Sequence, residues 1–300
     1  MEPWVIDALA EPMAAAHYFG FSHGGESLMS PLLFTALRAI GHARQGKTGR
    51  TDVHLLSNGM LLTAETVDRL VDHGVTSLAV SIDGATAGTN DSLRVGSRLE
   101  TVLEHVRRAV AVRERGAGDL RVGLSTVVTA RNVDELPALA QLAIDLGVDW
   151  LKLEELVPAT AQAKELMLRR GDARLSARVA AVKERLEAAR VVFVDHLADR
   201  SECRCQARSS PQALAFREAD DFANRARFNP CRMAWEQACV DPDGTVHPVD
   251  YHHPALGNLL EASLFDLWNN DMAQRVRREA LARTPRSLRE QCEEGLDPAE

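Results

Sequence analysis

Cysteine is absent from the first 202 residues of this 300-residue chain; the five present, Cys203, Cys205, Cys231, Cys239 and Cys292, all lie in its last third. An odd number placed so late argues against a disulfide framework and suits metal ligands or free thiols. Long apolar runs are also absent, none approaching the roughly 18 to 20 residues needed to cross a bilayer. Residues 1–21 carry Glu2, Asp7 and Glu11 where a secretory leader would be basic. The expectation is a cytoplasmic protein with no membrane partner. An excess of positive charge is missing too: 35 basic against 43 acidic residues leave a net charge of −8, which argues against nucleic acid as a partner. What is there, 45% hydrophobic and 26% charged residues, is the composition of a chain able to bury a full core.

From residue 1 to about 196, short apolar strands alternate with helical patterns, the rhythm of a parallel α/β sheet. Trp4, Val5, Ala8, Leu9 and Met13 share one helical stripe, followed by a strand at 18–22. Ser30-Pro31 reads as the cap and first residue of a helix through Leu33, Leu37 and Ile40. Thr63 opens the next helix and His73-Gly74 stops it. Strands are predicted at 53–57, 78–82, 120–128, 150–156 and 191–194, with helices around 99–113 and 136–144. Right-handed βαβ units in series close into a full or partial barrel or stay open in a doubly wound sheet, and a partial TIM-like (β/α) barrel over 1–196 is favoured. Residues 197–230 read as a linker. From 231 to 300 the sequence turns to a separate small module, with Asp241-Pro242-Asp243-Gly244 as a turn and a helix through Leu264, Leu267, Trp268 and Met272.

Ligands of parallel α/β folds sit outside the carboxyl ends of the strands. There this chain carries Ser22-His23-Gly24-Gly25-Glu26, then Ser57-Asn58-Gly59, then Ser81 and Asp83 before Gly84, then Lys152 and Glu154. Strand alternation sets Ser81 and Asp83 against Leu78, Val80 and Ile82, and Lys152 and Glu154 against Leu151 and Leu153. Taken singly, Gly-Gly, Asn-Gly and Asp-Gly are ordinary turn dipeptides, a Lys-Glu pair supports a barrel rim as readily as it binds substrate, and His23 and His54 read as packing or surface histidines. Their recurrence at one end of successive strands is what points to a site for a ribose, an amino acid moiety, or both.

In order, content and spacing, Phe21-Ser22-His23-Gly24-Gly25-Glu26-Ser27-Leu28, Leu56-Ser57-Asn58-Gly59-Met60-Leu61-Leu62 and Ala79-Val80-Ser81-Ile82-Asp83-Gly84-Ala85 resemble the radical S-adenosylmethionine (radical SAM) superfamily. The C-terminal module resembles that superfamily's SPASM or twitch extension, which holds an auxiliary iron–sulfur cluster: Cys231, Gly244, Leu256-Gly257-Asn258-Leu259, Ser263-Leu264, Leu267-Trp268 and Cys292 carry that likeness. The resemblance implies that Gly24, Gly25 and Glu26 hold the amino group of S-adenosylmethionine and that Ser81, Asp83 and Asn58 lie near its ribose. Cys231 and Cys292 become the remnant ligands of the auxiliary cluster. Against the family's pattern, the Cys-x3-Cys-x2-Cys loop that holds a [4Fe–4S] cluster upstream of Gly-Gly-Glu has no counterpart, so the first strand and its cluster loop are expected to be missing. Val249 stands where a cysteine would follow Gly244 by five residues.

The function so implied is S-adenosylmethionine binding and, where a cluster is present, a 5′-deoxyadenosyl radical that modifies a peptide or a sugar or aminocyclitol. Lys152, Glu154 and Arg94 are then candidates to orient the substrate or take a proton. The alternative is a degenerate, inactive homologue serving as a binding or partner subunit, favoured by depletion at both cluster sites. A zinc module built from Cys203, Cys205, Cys231 and Cys239 or from His247, His252 and His253 fits common tetrahedral spacings poorly.

Overall fold

The computed structural model describes residues 1–22, 25–116, 119–156, 160–168, 172–197, 233–248 and 254–282. Contacts group the chain into two units, each described by itself: Met1–His17 with Leu32–Arg50 and Asp199–Glu300, and Tyr18–Pro31 with Thr51–Ala198.

The second unit is built on six parallel strands in sequential order, β1 (Tyr18–Phe21), β2 (Asp52–Ser57), β3 (Ser77–Ser81), β4 (Arg121–Val128), β5 (Trp150–Glu155) and β6 (Val192–Asp195). This is the predicted partial barrel. Its curvature can be read from one pair of rings: two strands, β3 and β4, separate His54 on β2 from Trp150 on β5, yet their ring centroids lie 6.4 Å apart. Three steps of about 4.8 Å along a flat sheet would hold them roughly 14 Å apart, so the sheet curls with this face inward. Gly123 on β4 makes room for the indole, since a Cβ there would fall 2.0 Å from the Trp150 ring. Sequence separation between strands is taken up by helices that cover the outer face, chiefly α4 (Ala64–Asp72), α6 (Leu99–Glu114), α7 (Leu136–Leu146) and α9 (Ala173–Ala188). Two shorter helices, α5 (Ala87–Leu93) and α8 (Ala161–Glu165), sit in the loops after β3 and β5.

Several local expectations hold for the reasons given. Thr63 caps α4 by accepting from Thr66 N–H at 3.2 Å. Gly74 follows the α4 terminus with φ +85°. Others are corrected. Ser30 does not cap a helix; its N–H closes a 3₁₀ turn over Ser27–Met29, bonding Ser27 C=O at 3.1 Å, and α3 begins only at Leu33 and runs to Arg44. The single N-terminal helix is two, α1 (Pro3–Ala8) and α2 (Ala10–Ala15), because Pro12 lacks an N–H and its ring clashes with the carbonyl four residues back, at Ala8. The helix α9 escaped the sequence reading because its surface is charged and, among its described side chains, only Val182 and Leu186 are fully buried.

In the first unit, α1 supplies Trp4 and Val5 to a core shared with Val246, Leu256, Leu259, Leu267 and Ala273. A three-stranded antiparallel sheet, β7 (Cys239–Val240), β8 (Thr245–His247) and β9 (Gly257–Asn258), follows a short α10 (Met233–Glu236) and is followed by α11 (Leu264–Asn269) and α12 (Asp271–Ala282). Gly244 turns β7 into β8 at φ +85°, and a Cβ there would meet the Trp4 ring at 2.3 Å, so position and backbone both demand glycine.

Candidate active site at the carboxyl ends of the strands

The loop after β1 is anchored by one carboxylate. Glu26 Oε2 accepts from Asn58 N–H at 2.7 Å, and Oε1 accepts from Ser57 Oγ at 3.0 Å and Leu28 N–H at 3.1 Å. A carboxylate has about four acceptor sites, so Glu26 keeps one free while tying its loop to the end of β2. Gly25, at φ +129°, precedes it in open space; Gly24 lies outside the described residues.

After β3, Asp83 is buried and bound on three sides. Its Oδ1 accepts from Val127 N–H at 2.8 Å, its Oδ2 lies 2.8 Å from Arg94 Nε, and its backbone N–H donates to Asn90 Oδ1 at 3.0 Å. Burial pushes the Asp83 carboxyl up from the ordinary range, and Arg94 and the Val127 N–H pull it back. Two residues that the sequence reading missed hold this loop. Asn132, fully buried, donates to the carbonyls of Asp83 at 2.7 Å and Val127 at 2.8 Å. Glu135 accepts from the backbone N–H of Ala85 and Thr86 and from the hydroxyls of Thr86 and Thr89, at the start of α5. A distant Asn and Glu carry no local motif, so only their placement in space reveals them.

Between these loops opens a cavity of about 370 Å³ lined by Asn58, Met60, Asp83, Leu93, Arg94 and Ser97, among others. Ser97 Oγ is buried there without a hydrogen-bond partner among the described residues. Asn58 Oδ1 turns back on its own loop to accept from Met60 N–H at 2.9 Å, leaving its amide N–H groups uncommitted among the described bonds. The site therefore brings Asn58, Asp83 and Arg94 around one cavity, with Glu26 bonded to its Asn58 side. Ser81 lies elsewhere: it is in register with Ser125 on β4 and, through it, with Lys152 on β5, on the row of the inner face that also carries Lys152.

That inner face is polar at its carboxyl end. Lys152 Nζ lies 2.6 Å from Glu154 Oε1, Ser125 Oγ donates to Glu154 Oε2 at 3.3 Å, and His196 Nδ1 lies 3.7 Å from Glu154 Oε1. Burial alone would raise Glu154, but His196 and Lys152 outweigh it and hold the carboxyl well below the usual carboxylate range. Deeper, His54 Nδ1 and Ser77 Oγ are 2.8 Å apart. Burial, reinforced by the Lys152 charge, lowers His54 to about 4, so it is an uncharged packing histidine at neutral pH.

Residues 5–143 match the family model of the radical SAM superfamily and residues 231–294 match that of SPASM, an iron–sulfur cluster-binding domain, about two thirds of the chain between them. The chain belongs to the radical SAM superfamily. Among curated relatives, this radical SAM protein is 28% identical over 253 residues to the PqqA peptide cyclase of Streptomyces rochei, covering 82% of this chain and 60% of that one. It is 35% identical over 135 residues to the AdoMet-dependent heme synthase of Methanosarcina barkeri, covering 45% and 36%. The chain thus spans between about a third and three fifths of the length of these relatives. Its fold matches that of Streptococcus suis SuiB, solved bound to precursor peptide SuiA, with a TM-score of 0.64 at 15% identity over 92% of this chain and 60% of that one.

Iron–sulfur clusters are held by thiolates. The barrel unit of this radical SAM protein contains no cysteine, and no group of three or more His, Cys, Asp or Glu side chains among the described residues is disposed to hold a metal ion. The residues present do not fit a thiolate-held cluster in the barrel. Cys231 and Cys292, expected at the auxiliary site, lie outside the described residues, as does Val249; Cys239 is half-buried on β7, in register with His247. No described helix is long and apolar enough to cross a membrane.

Proposed function

We propose that this radical SAM protein binds S-adenosylmethionine at the mouth of its barrel and presents the barrel interior to a peptide. The observation that carries the reading is the cavity between the Asn58 and Asp83 loops, with the orphaned Ser97 hydroxyl on its wall. A volume of about 370 Å³ falls within the range of small-molecule sites, roughly 300 to 1,000 Å³. The donor set suits a nucleoside and an amino acid moiety: a carboxylate and a hydroxyl for ribose, amide N–H groups at Asn58, and one free acceptor site on Glu26 for an ammonium. The AdoMet-dependent relative supports the ligand, and the peptide cyclase, with its 82% coverage of this chain, supports a peptide as substrate over a sugar or aminocyclitol.

In this reading Glu26 and Asn58 receive the methionine end, Asp83 and Ser97 the ribose, and Ser81, Lys152 and Glu154 face the substrate. Arg94 neutralises Asp83. A ligand that binds only the folded form raises stability by mass action. The midpoint of thermal unfolding is therefore expected to rise with S-adenosylmethionine concentration, and a midpoint independent of the ligand contradicts the reading.

The cysteine-free barrel favours a second reading of the same site, a subunit that binds without radical chemistry of its own. Anaerobic reconstitution of the 300-residue chain with iron and sulfide, followed by dithionite and S-adenosylmethionine, separates the two. Binding without 5′-deoxyadenosine above a no-protein control supports the subunit, and product above that control overturns it.

A further inference from the structure

On the inner face of β5, Trp150, Lys152 and Glu154 alternate, in register with Val192 and Val194 on β6. The ladder continues one step further, because His196 N–H donates to Leu153 C=O at 2.9 Å, which sets His196 beside Glu154 on that face. His196 falls just past β6, in a position no sequence motif marks.

The imidazole is oriented by its neighbour. Nδ1 lies 3.7 Å from Glu154 Oε1, so the carboxylate favours a proton on Nδ1, and in the tautomer with that single ring N–H, Nε2 is an acceptor. It is buried and has no hydrogen-bond partner among the described residues. Leaving a buried polar atom unpaired is costly, and such atoms are rare enough in folded proteins that each calls for a ligand or a bound water. Beside it, Lys152 Nζ has three N–H donors, one of them directed at the same Glu154 oxygen. Glu154 itself is occupied by Lys152 and Ser125. What the cluster still offers is one acceptor and spare donors flanking a single carboxylate oxygen. That is the complement of an amide, which presents an N–H and a C=O together.

We propose that His196 is a substrate-contacting residue whose Nε2 accepts from an amide N–H of a peptide in the barrel, while Lys152 Nζ donates to an amide carbonyl. This rests on the reading that the barrel interior receives a peptide, and it adds a residue and a bonding pattern to it.

Long-range ¹H–¹⁵N correlation spectra of the imidazoles in the 300-residue chain test it, with N-acetylglycine N-methylamide as probe and His196→Leu to assign the signal. The expected result is an Nδ1–H ring whose Nε2 signal moves saturably with the probe, with at least tenfold weaker probe binding in His196→Leu and partial recovery in His196→Gln. An Nε2 signal unmoved by the probe, or equal probe affinity in His196→Leu, overturns the proposal and leaves Nε2 bonded to a buried water only. Titration of S-adenosylmethionine into the wild-type chain reports separately on the nucleoside site, so the two can fail independently.

Discussion

Arg94 Nε lies 2.8 Å from Asp83 Oδ2, closing an ion pair on the wall of the cavity between the β2 and β3 loops. Removing one partner of a largely buried pair leaves the other uncompensated. Asp83→Asn is expected to lower S-adenosylmethionine affinity by on the order of ten- to a hundredfold, the value of a hydrogen bond to a charged group. A double-mutant cycle with Arg94→Met, read by chemical denaturation, should give a coupling of about 0.5–3 kcal/mol; strict additivity would mean the pair is not formed.

Glu26 ties its loop to the end of β2 and, in the proposed reading, also receives the ligand. Glu26→Gln keeps a carbonyl oxygen for Asn58 N–H but loses the charge, whereas Glu26→Ala loses both. The expected order of S-adenosylmethionine affinity is wild type, then Gln, then Ala. Calorimetry showing equal affinity for Glu26→Ala and wild type removes Glu26 from the site.

His54 makes stability pH-dependent. Its folded pKa, about 4, lies below the 6.5 of the unfolded chain, so the unfolded state binds the extra proton between those values. The contribution is fully present above pH 6.5 and lost as pH falls towards 4, about 3 kcal/mol in all. Denaturant unfolding at pH 7 and pH 4.5 should show this loss, and His54→Gln should shrink it; an unchanged pH slope in the variant contradicts the assignment.

Gly123→Ala places a methyl 2.0 Å from the Trp150 ring. Overpacking of this kind costs about 1–3 kcal/mol or more. A fall in the thermal midpoint is expected, with recovery in the double variant Gly123→Ala/Trp150→Leu. A single variant as stable as wild type would mean that the indole does not lie over β4.

The sheet was legible because each strand is a short apolar run and each turn is punctuated, as at Thr63 and His73-Gly74. The placement of Glu26, Asn58 and Asp83 at one end of the sheet was legible because such residues recur after successive strands. Helix α9 was not, since a charged helix that buries Val182 and Leu186 lacks a broad apolar stripe. Nor were Asn132, Glu135 and His196, whose roles depend on partners 49, 50 and 42 residues away in Asp83, Ala85 and Glu154. Sequence spacing reports local periodicity; it is silent on which distant polar groups the barrel brings face to face.

S-adenosylmethionine binding at the barrel mouth is tested most directly by isothermal titration of the ligand into the folded 300-residue chain, run beside Asp83→Asn. A saturable one-to-one heat is expected for the wild type, weakened at least tenfold in the variant. No saturable heat from folded wild-type protein would contradict binding at this site.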